Sequence, residues 1–222
     1  MELLTIVLDE TYVQFAGCVF RQVCGVPMGG NASPLMADLT LSMMEFEFAK
    51  NEPATNRDIE YWKRYIDDIL IANYHRFMEV ASTVYASELV LERTNETFEA
   101  APFLDLALDV SNQLTISVYN KTDDFSFKVL RYCFADSNVH TNVGLGTFYS
   151  QLVRFARISN KVCDFERRVL QIFTEFIEHG FSRESLISRF FQFVQRARSL
   201  LFKFGLSNRY DILSFVDRVF CR

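Results

Sequence analysis

Residues 103–222 contain no proline, whereas Pro27, Pro34, Pro53 and Pro102 all fall before them. Proline removes a backbone donor and interrupts helix interiors and sheet ladders. Short, punctuated elements are therefore expected early in the chain, and long helices late. From about residue 148 the apolar residues recur at helical spacing. Val169, Ile172, Phe173, Phe176 and Ile177 follow one stripe, and Leu186, Ile187, Phe190, Phe191 and Val194 another. His179-Gly180 reads as a helix stop and Ser182 as the next N-cap. A last helix is expected over 209–220.

The early part reads differently. Residues 3–8 read as the end of a helix, and residues 11–23 as a β-hairpin turning at Ala16-Gly17. A Gly-rich loop at 25–33 leads to Ser33-Pro34, the N-cap and first residue of a helix over 34–48, whose apolar positions are Leu35, Leu39, Met43 and Phe46. Residues 61–73 read as strand, tight turn and strand, and 75–88 as an amphipathic helix using Phe77, Val80, Ala81 and Val84. Strands are expected at 89–94, at 103–110 from its strict alternation, and at 114–119, pairing back across Ser111-Asn112-Gln113. The whole is an α+β chain, divided as 1–120, an irregular connector 121–149, and a helical region 150–222.

Half of the 222 residues are apolar and 23 are Phe, a core-forming composition. Residues 1–149 hold 10 Lys/Arg and 21 Asp/Glu, while 150–222 hold 13 and 7, so the acidic chain carries a net-basic end. That end either faces a polyanion or is an ordinary charged helical surface. Cys18, Cys24, Cys133, Cys163 and Cys221 form no C-x-x-C pair and read as buried free thiols in a reducing compartment. No apolar run reaches membrane-span length, and the start has no basic n-region, so no membrane partner is expected and cytoplasm or nucleus is.

Against this background the segment KRYIDDILIAN, residues 63–73, stands out. Asp67 and Asp68 lie side by side in an apolar run. A flat strand would bury one of them, whereas a tight turn exposes both at its tip. Two carboxylates at one tip repel unless a cation is shared. Mg²⁺ (or Mn²⁺) suits such a site because it takes a few carboxylates plus substrate phosphates. Asp123-Asp124 lacks flanking apolar strands and reads as a solvated turn.

Tyr65-Ile66-Asp67-Asp68 resembles the Y-x-D-D turn of reverse transcriptases. About 40 residues earlier, QVCGVPMGGNASPLMA resembles that family's G-x-P-M-G…S-P block. Pro102–Leu106, YNKTDDFSF and FYSQLVRFARISNKVCDF resemble later segments of Penelope-like and related animal retroelement enzymes, so the resemblance spans nearly the whole chain. It implies a partial polymerase palm, an antiparallel sheet with helices on one face, followed by a helical thumb-like region. It assigns Asp67 and Asp68 to Mg²⁺. Tyr65, Gln22, Gly25, Pro27, Met28, Gly29, Gly30, Ser33 and Pro34 fall to nucleotide and primer binding, although Gln22 and Tyr65 read equally well as plain strand residues. Arg154, Arg157, Arg167 and Arg168 would contact a nucleic-acid backbone. The implied partners are an RNA template with a DNA primer, and dNTP.

The sequence also departs from the family. The first metal carboxylate, in an F-x-x-x-D block upstream of G-x-P-M-G, is absent, as are the basic fingers; a missing fingers segment or another chain would have to supply them. Only Glu2, Asp9 and Glu10 precede Gly25 as acidic residues, and Asp9 sits at a helix end. The lysine expected after 89–94 is replaced by Arg93-Thr94-Asn95-Glu96. The chain therefore reads as N-terminally truncated and as not competent to polymerise alone. The alternatives are a catalytically dead palm-derived module that binds nucleic acid or protein, and an unrelated α+β protein.

Overall fold

The computed structural model describes residues 2–220, with side chains from Thr5 onward. Contacts divide the chain after Arg93 into two compact units, rather than near residue 120. The fold is mixed α+β, but its strands form three small antiparallel sheets instead of one.

The first unit begins with α1 (Glu2–Asp9) and the hairpin β1 (Tyr12–Phe15) and β2 (Cys18–Arg21). Ala16 and Gly17 both take positive φ, as expected of a two-residue turn matched to strand twist. There follow α2 (Ser33–Asn51), α3 (Pro53–Asp58), the hairpin β3 (Tyr61–Tyr65) and β4 (Asp68–Ala72), and α4 (Phe77–Val84). The last is shorter than the expected 75–88. Its core gathers Phe48, Ile59, Phe77, Ala81, Val84 and Tyr85, with Leu41, Met44, Trp62 and Ile71 packed against them. Trp62 meets Phe77 edge-on at 5.2 Å and Phe48 at 6.1 Å.

Two expectations fail here. Leu35, Leu39, Met43 and Phe46 lie on the solvent side of α2, and Leu41, Met44 and Phe48 face inward. The helix is apolar on more than one face, so spacing alone could not choose its phase. Residues 89–94 form no strand; Val90 is 84% exposed and the backbone there joins no ladder.

The second unit starts with β5 (Ala100–Phe103), β6 (Leu106–Asp109) and β7 (Thr115–Val118). The alternating run 103–110 is thus not one strand: it is broken at Leu104-Asp105, where Leu104 takes φ +54° without a glycine to announce the turn. Strand β7 pairs with β6 across residues 111–113 as expected. A 3-10 turn (Lys121–Asp124) and an irregular stretch lead into α5 (Thr141–Ile158), earlier than the expected 150. Then come α6 (Val162–Glu178), α7 (Arg183–Arg196), α8 (Arg198–Leu201) and α9 (Arg209–Phe220).

Helix α6 ends in a Schellman arrangement: Gly180 takes φ +85°, its N–H donates to Ile177 O, and the Phe181 N–H donates to Phe176 O. Ser182 Oγ then accepts from the Ser185 N–H as the N-cap of α7. Phe148, Phe165, Phe176, Phe190, Phe193, Phe215 and Phe220 are fully buried. Phe190 stacks on Phe215 at 5.5 Å and meets Phe220 edge-on at 5.0 Å. Ile177, placed in the stripe by its spacing, is 39% exposed, whereas Phe193, outside the second stripe, is buried. Strand β7 is fastened to this bundle by Asn160, whose N–H donates to Ile116 O while its amide accepts from the Ile116 N–H and donates to Leu114 O.

The thiols are not buried: Cys18, Cys24 and Cys163 are exposed and Cys133 is half-buried, with no disulfide among the described residues. Cys221 lies outside the described residues. No helix among the described residues is long and apolar enough to cross a membrane.

Phe190→Ala removes a ring that meets four others, Phe191, Phe193, Phe215 and Phe220, and should cost about 3–5 kcal/mol of stability. Urea denaturation followed by far-ultraviolet circular dichroism, which the helical unit dominates, measures it.

Candidate functional site

The loop before α2 is built by its glycines and one serine. Gly25 and Gly29 take φ +83° and +86°, the left-handed region open to glycine. A Cβ at Gly30 would lie 2.7 Å from Ser33 Oγ, so the chain passes too close there for a side chain. Ser33 is buried, and its hydroxyl donates to Pro27 O, folding the loop back onto the helix start. That contact corrects the capping assignment. Ala32 is the N-cap, without a side-chain bond, and Ser33 is already helical. Pro34 follows in the first turn, where its missing N–H is no loss. Pro27 is buried, whereas Met28 is fully exposed at the loop tip. Gln22 lies at the loop's entrance; its N–H donates to Thr11 O and its amide to Cys24 O.

The β3–β4 hairpin turns at Ile66-Asp67, with Tyr65 opposite Asp68. Ile66 takes φ +54°, the type II′ pattern, at a residue whose branched Cβ resists it. Both carboxylates stand in solvent, and neither has a hydrogen-bond or ion-pair partner among the described residues. Tyr65 is 58% exposed on the outward face of β3. Two unclaimed hard-oxygen ligands on adjacent residues suit a divalent hard cation in donor type. They form only part of a ligand set, because no three His, Cys, Asp or Glu side chains gather as a metal-holding group among the described residues. Asp9 does not join them: it closes α1, and its carbonyl accepts from Arg21 Nε.

Arg64, which no sequence motif marks, ties this hairpin to α2. Its side chain is 6% exposed on the inward face of β3. Nε and Nη2 donate to the two oxygens of Glu45 at 2.6 and 3.2 Å, Nη1 to Asp38 Oδ1 at 2.9 Å, and Nη2 to Ser42 Oγ at 2.8 Å. Nη1 also donates to Ile66 O at 3.2 Å, inside the turn. Tyr85 closes the network by donating to Glu45 Oε1 at 2.8 Å. Bonding to Glu45 pushes the Arg64 pKa still higher, and burial, followed by Glu45, pushes the Tyr85 phenol well above its usual range. A signal was present in the sequence: Asp38, Ser42 and Glu45 recur at i, i+4 and i+7, a polar stripe along one side of the helix.

The four arginines of the helical unit do not form one basic face. Arg168 is buried and donates to Asp123 Oδ2 at 2.6 Å, Gln171 Oε1 at 2.8 Å and Val118 O at 2.7 Å. It is an internal strut, withdrawn from any external phosphate, and Asp123 is its counter-ion rather than part of a merely solvated turn. The neighbouring Asp124 accepts from the Tyr119 hydroxyl. Arg154 is held by both Asp105 oxygens, at 2.8 and 3.2 Å, and by Asn120 Oδ1. Arg167 is exposed beside Asp164. Arg157 is exposed, with no side-chain partner among the described residues, and lines a surface depression of α5 with Tyr149, Val153 and Arg154.

No known family model matches the sequence, and no curated protein or solved structure matches the chain.

Arg168→Ala leaves the Val118 carbonyl unpaired inside the second unit and should cost roughly 1–3 kcal/mol; Arg157→Ala should leave the denaturation midpoint unchanged. Tyr85 supplies a pH test. A phenol whose folded pKa is raised contributes fully below its unfolded value of 10.0, and that contribution drains away as pH rises beyond it. The stability of the first unit, read from the single tryptophan, Trp62, should fall above about pH 10, and Tyr85→Phe should flatten that slope.

Proposed function

We propose that the chain is the palm-derived and thumb-derived part of a reverse transcriptase, with Asp67 and Asp68 as metal-holding residues of a nucleotidyl-transfer site. One observation carries this reading. The Asp67-Asp68 turn is tied through Arg64 to the helix that follows the GVPMGGNASP loop, which supports reading the two motifs together.

In this reading Asp67 and Asp68 would hold Mg²⁺, which when bound would supply stabilisation of the negative charge that develops during phosphoryl transfer. The chain's own residues perform the rest. Asp67 and Asp68 present oxygens at a turn free of competing cations, because the nearest guanidinium is already committed to Glu45 and Asp38. Tyr65, beside Asp68 in the ladder, would pack near the primer end or the incoming nucleotide. The Gly25–Gly30 loop admits close approach of backbone, and exposed Met28 offers a packing surface. Exposed Arg157, with Arg154 beside it, would meet a nucleic-acid backbone through sequence-independent, salt-dependent contacts.

Phosphoryl transfer depends almost wholly on positioning and electrostatics. With no third carboxylate gathered beside Asp67 and Asp68 among the described residues, this chain alone is not competent to polymerise; a further carboxylate must come from another segment or another chain. The same observation favours the second reading, a catalytically dead palm-derived module that binds nucleic acid.

Primer extension on an RNA template with Mg²⁺ or Mn²⁺ should show no robust incorporation; incorporation that disappears in Asp67→Ala would overturn that expectation. In parallel, filter binding of an RNA–DNA hybrid should show affinity that falls steeply with salt. Absence of binding even at low salt, together with no Mn²⁺ response at Asp67 and Asp68, would sink both readings.

A further inference from the structure

We propose that Arg64 is a positioning residue for the Asp67-Asp68 turn, holding its backbone in the conformation that presents the two carboxylates. The metal-related part of this inference rests on the reading of the hairpin as a metal-holding turn; the conformational part does not.

A β-branched residue at φ +54° is costly, and such a backbone persists only where its surroundings over-determine it. Ile66 is followed by two like charges, which adds repulsion at the tip. The contact reaching into the turn is the one from Arg64 Nη1 to Ile66 O, and the same nitrogen is anchored on Asp38 Oδ1. Behind it, Nε and Nη2 fork onto both oxygens of Glu45, and Nη2 reaches Ser42 Oγ. The guanidinium plane is thereby fixed on α2 along its whole edge, and one of its outward donors is aimed at the turn carbonyl.

Charge completes the case. Arg64 faces two carboxylates on α2, so its positive charge is already matched there. It can therefore hold the turn through a carbonyl without neutralising Asp67 or Asp68, and the turn's negative charge stays available to a cation. Lysine could not substitute, because an ammonium is a point donor and cannot span Glu45, Asp38 and Ile66 at once. Tyr85 donates to the same Glu45 oxygen that accepts from Arg64 Nε, and has no hydrogen bond to the turn.

The test uses the whole chain and Arg64→Lys, with Tyr85→Phe as the control that loosens the network behind Glu45 and leaves the guanidinium in place. Three signals are followed by nuclear magnetic resonance. They are the Ile66 backbone coupling and nuclear Overhauser pattern that report positive φ, Mn²⁺-induced broadening of the Asp67 and Asp68 amides, and the Trp62 indole resonance as a monitor of the packed hairpin. In Arg64→Lys the Ile66 signature should be lost and the Mn²⁺ response should weaken about tenfold, while Trp62 is unmoved. Tyr85→Phe should keep all three. An Arg64→Lys protein that retains the Ile66 signature overturns the proposal. So does one in which Trp62 moves as well, which would make Arg64 a packing residue only. If the unsubstituted protein shows no Mn²⁺ response, the metal-holding reading fails, and the Ile66 signature still decides the role of Arg64.

Discussion

A guanidinium with only 6% of its side chain exposed must find partners for its charge and its five donors, and the first unit is organised around that requirement. Arg64 lies on the inward face of a short hairpin and is met by a polar stripe of α2, so Glu45, Ser42 and Asp38 must face it. That choice sets the phase of the helix. Leu41, Met44 and Phe48 then fall against Trp62 and α4, and Leu35, Leu39, Met43 and Phe46 turn to solvent. A buried ion pair of this kind gives little net stability compared with an apolar alternative, but losing one partner is costly. Its worth here is orientation: it decides which side of α2 is inside and where the Asp67-Asp68 turn stands.

The second unit solves a parallel problem with different means. Its phenylalanine cluster supplies non-directional burial, which many helix arrangements could satisfy. Direction comes from polar struts, and besides Arg154, which reaches Asp105 and Asn120, there are two more. Asn160 extends the edge of β7 by three hydrogen bonds, and Arg168 joins Val118 O to Asp123. Both link the small sheet to the helices, and neither stands out in composition or periodicity.

Much of the local structure was legible from the residues. The hairpin at Ala16-Gly17, the stop at His179-Gly180, the Ser182 cap and the last helix over 209–220 follow from turn chemistry and capping, which act within a few residues; the hairpin over 61–73 follows instead from the cost of burying the Asp67-Asp68 pair, since Ile66 resists the positive φ it adopts. The misreadings share a different cause. The run 103–110 alternates perfectly, yet it bends at Leu104, a residue with no preference for positive φ; the pairing partner, not the local sequence, put the turn there. Ser33 had the right identity and place for a cap but gave its hydroxyl to Pro27 O. Arg168 sat in a net-basic helix and read as a surface cation, until its partner emerged 45 residues earlier in Asp123.

The candidate site divides the same way. That a tight turn carries the Asp67-Asp68 pair, and that residues 25–30 form a glycine-rich loop, follows from the sequence by itself, because the cost of burying charge and the backbone freedom of glycine are properties of a few adjacent residues. That the turn is joined to α2, that Arg64 is the joint, and that no third carboxylate gathers with Asp67 and Asp68 among the described residues were decided by the tertiary structure. Those facts depend on which side chains meet across long separations, and a buried guanidinium selects its partners only once the chain has folded around it.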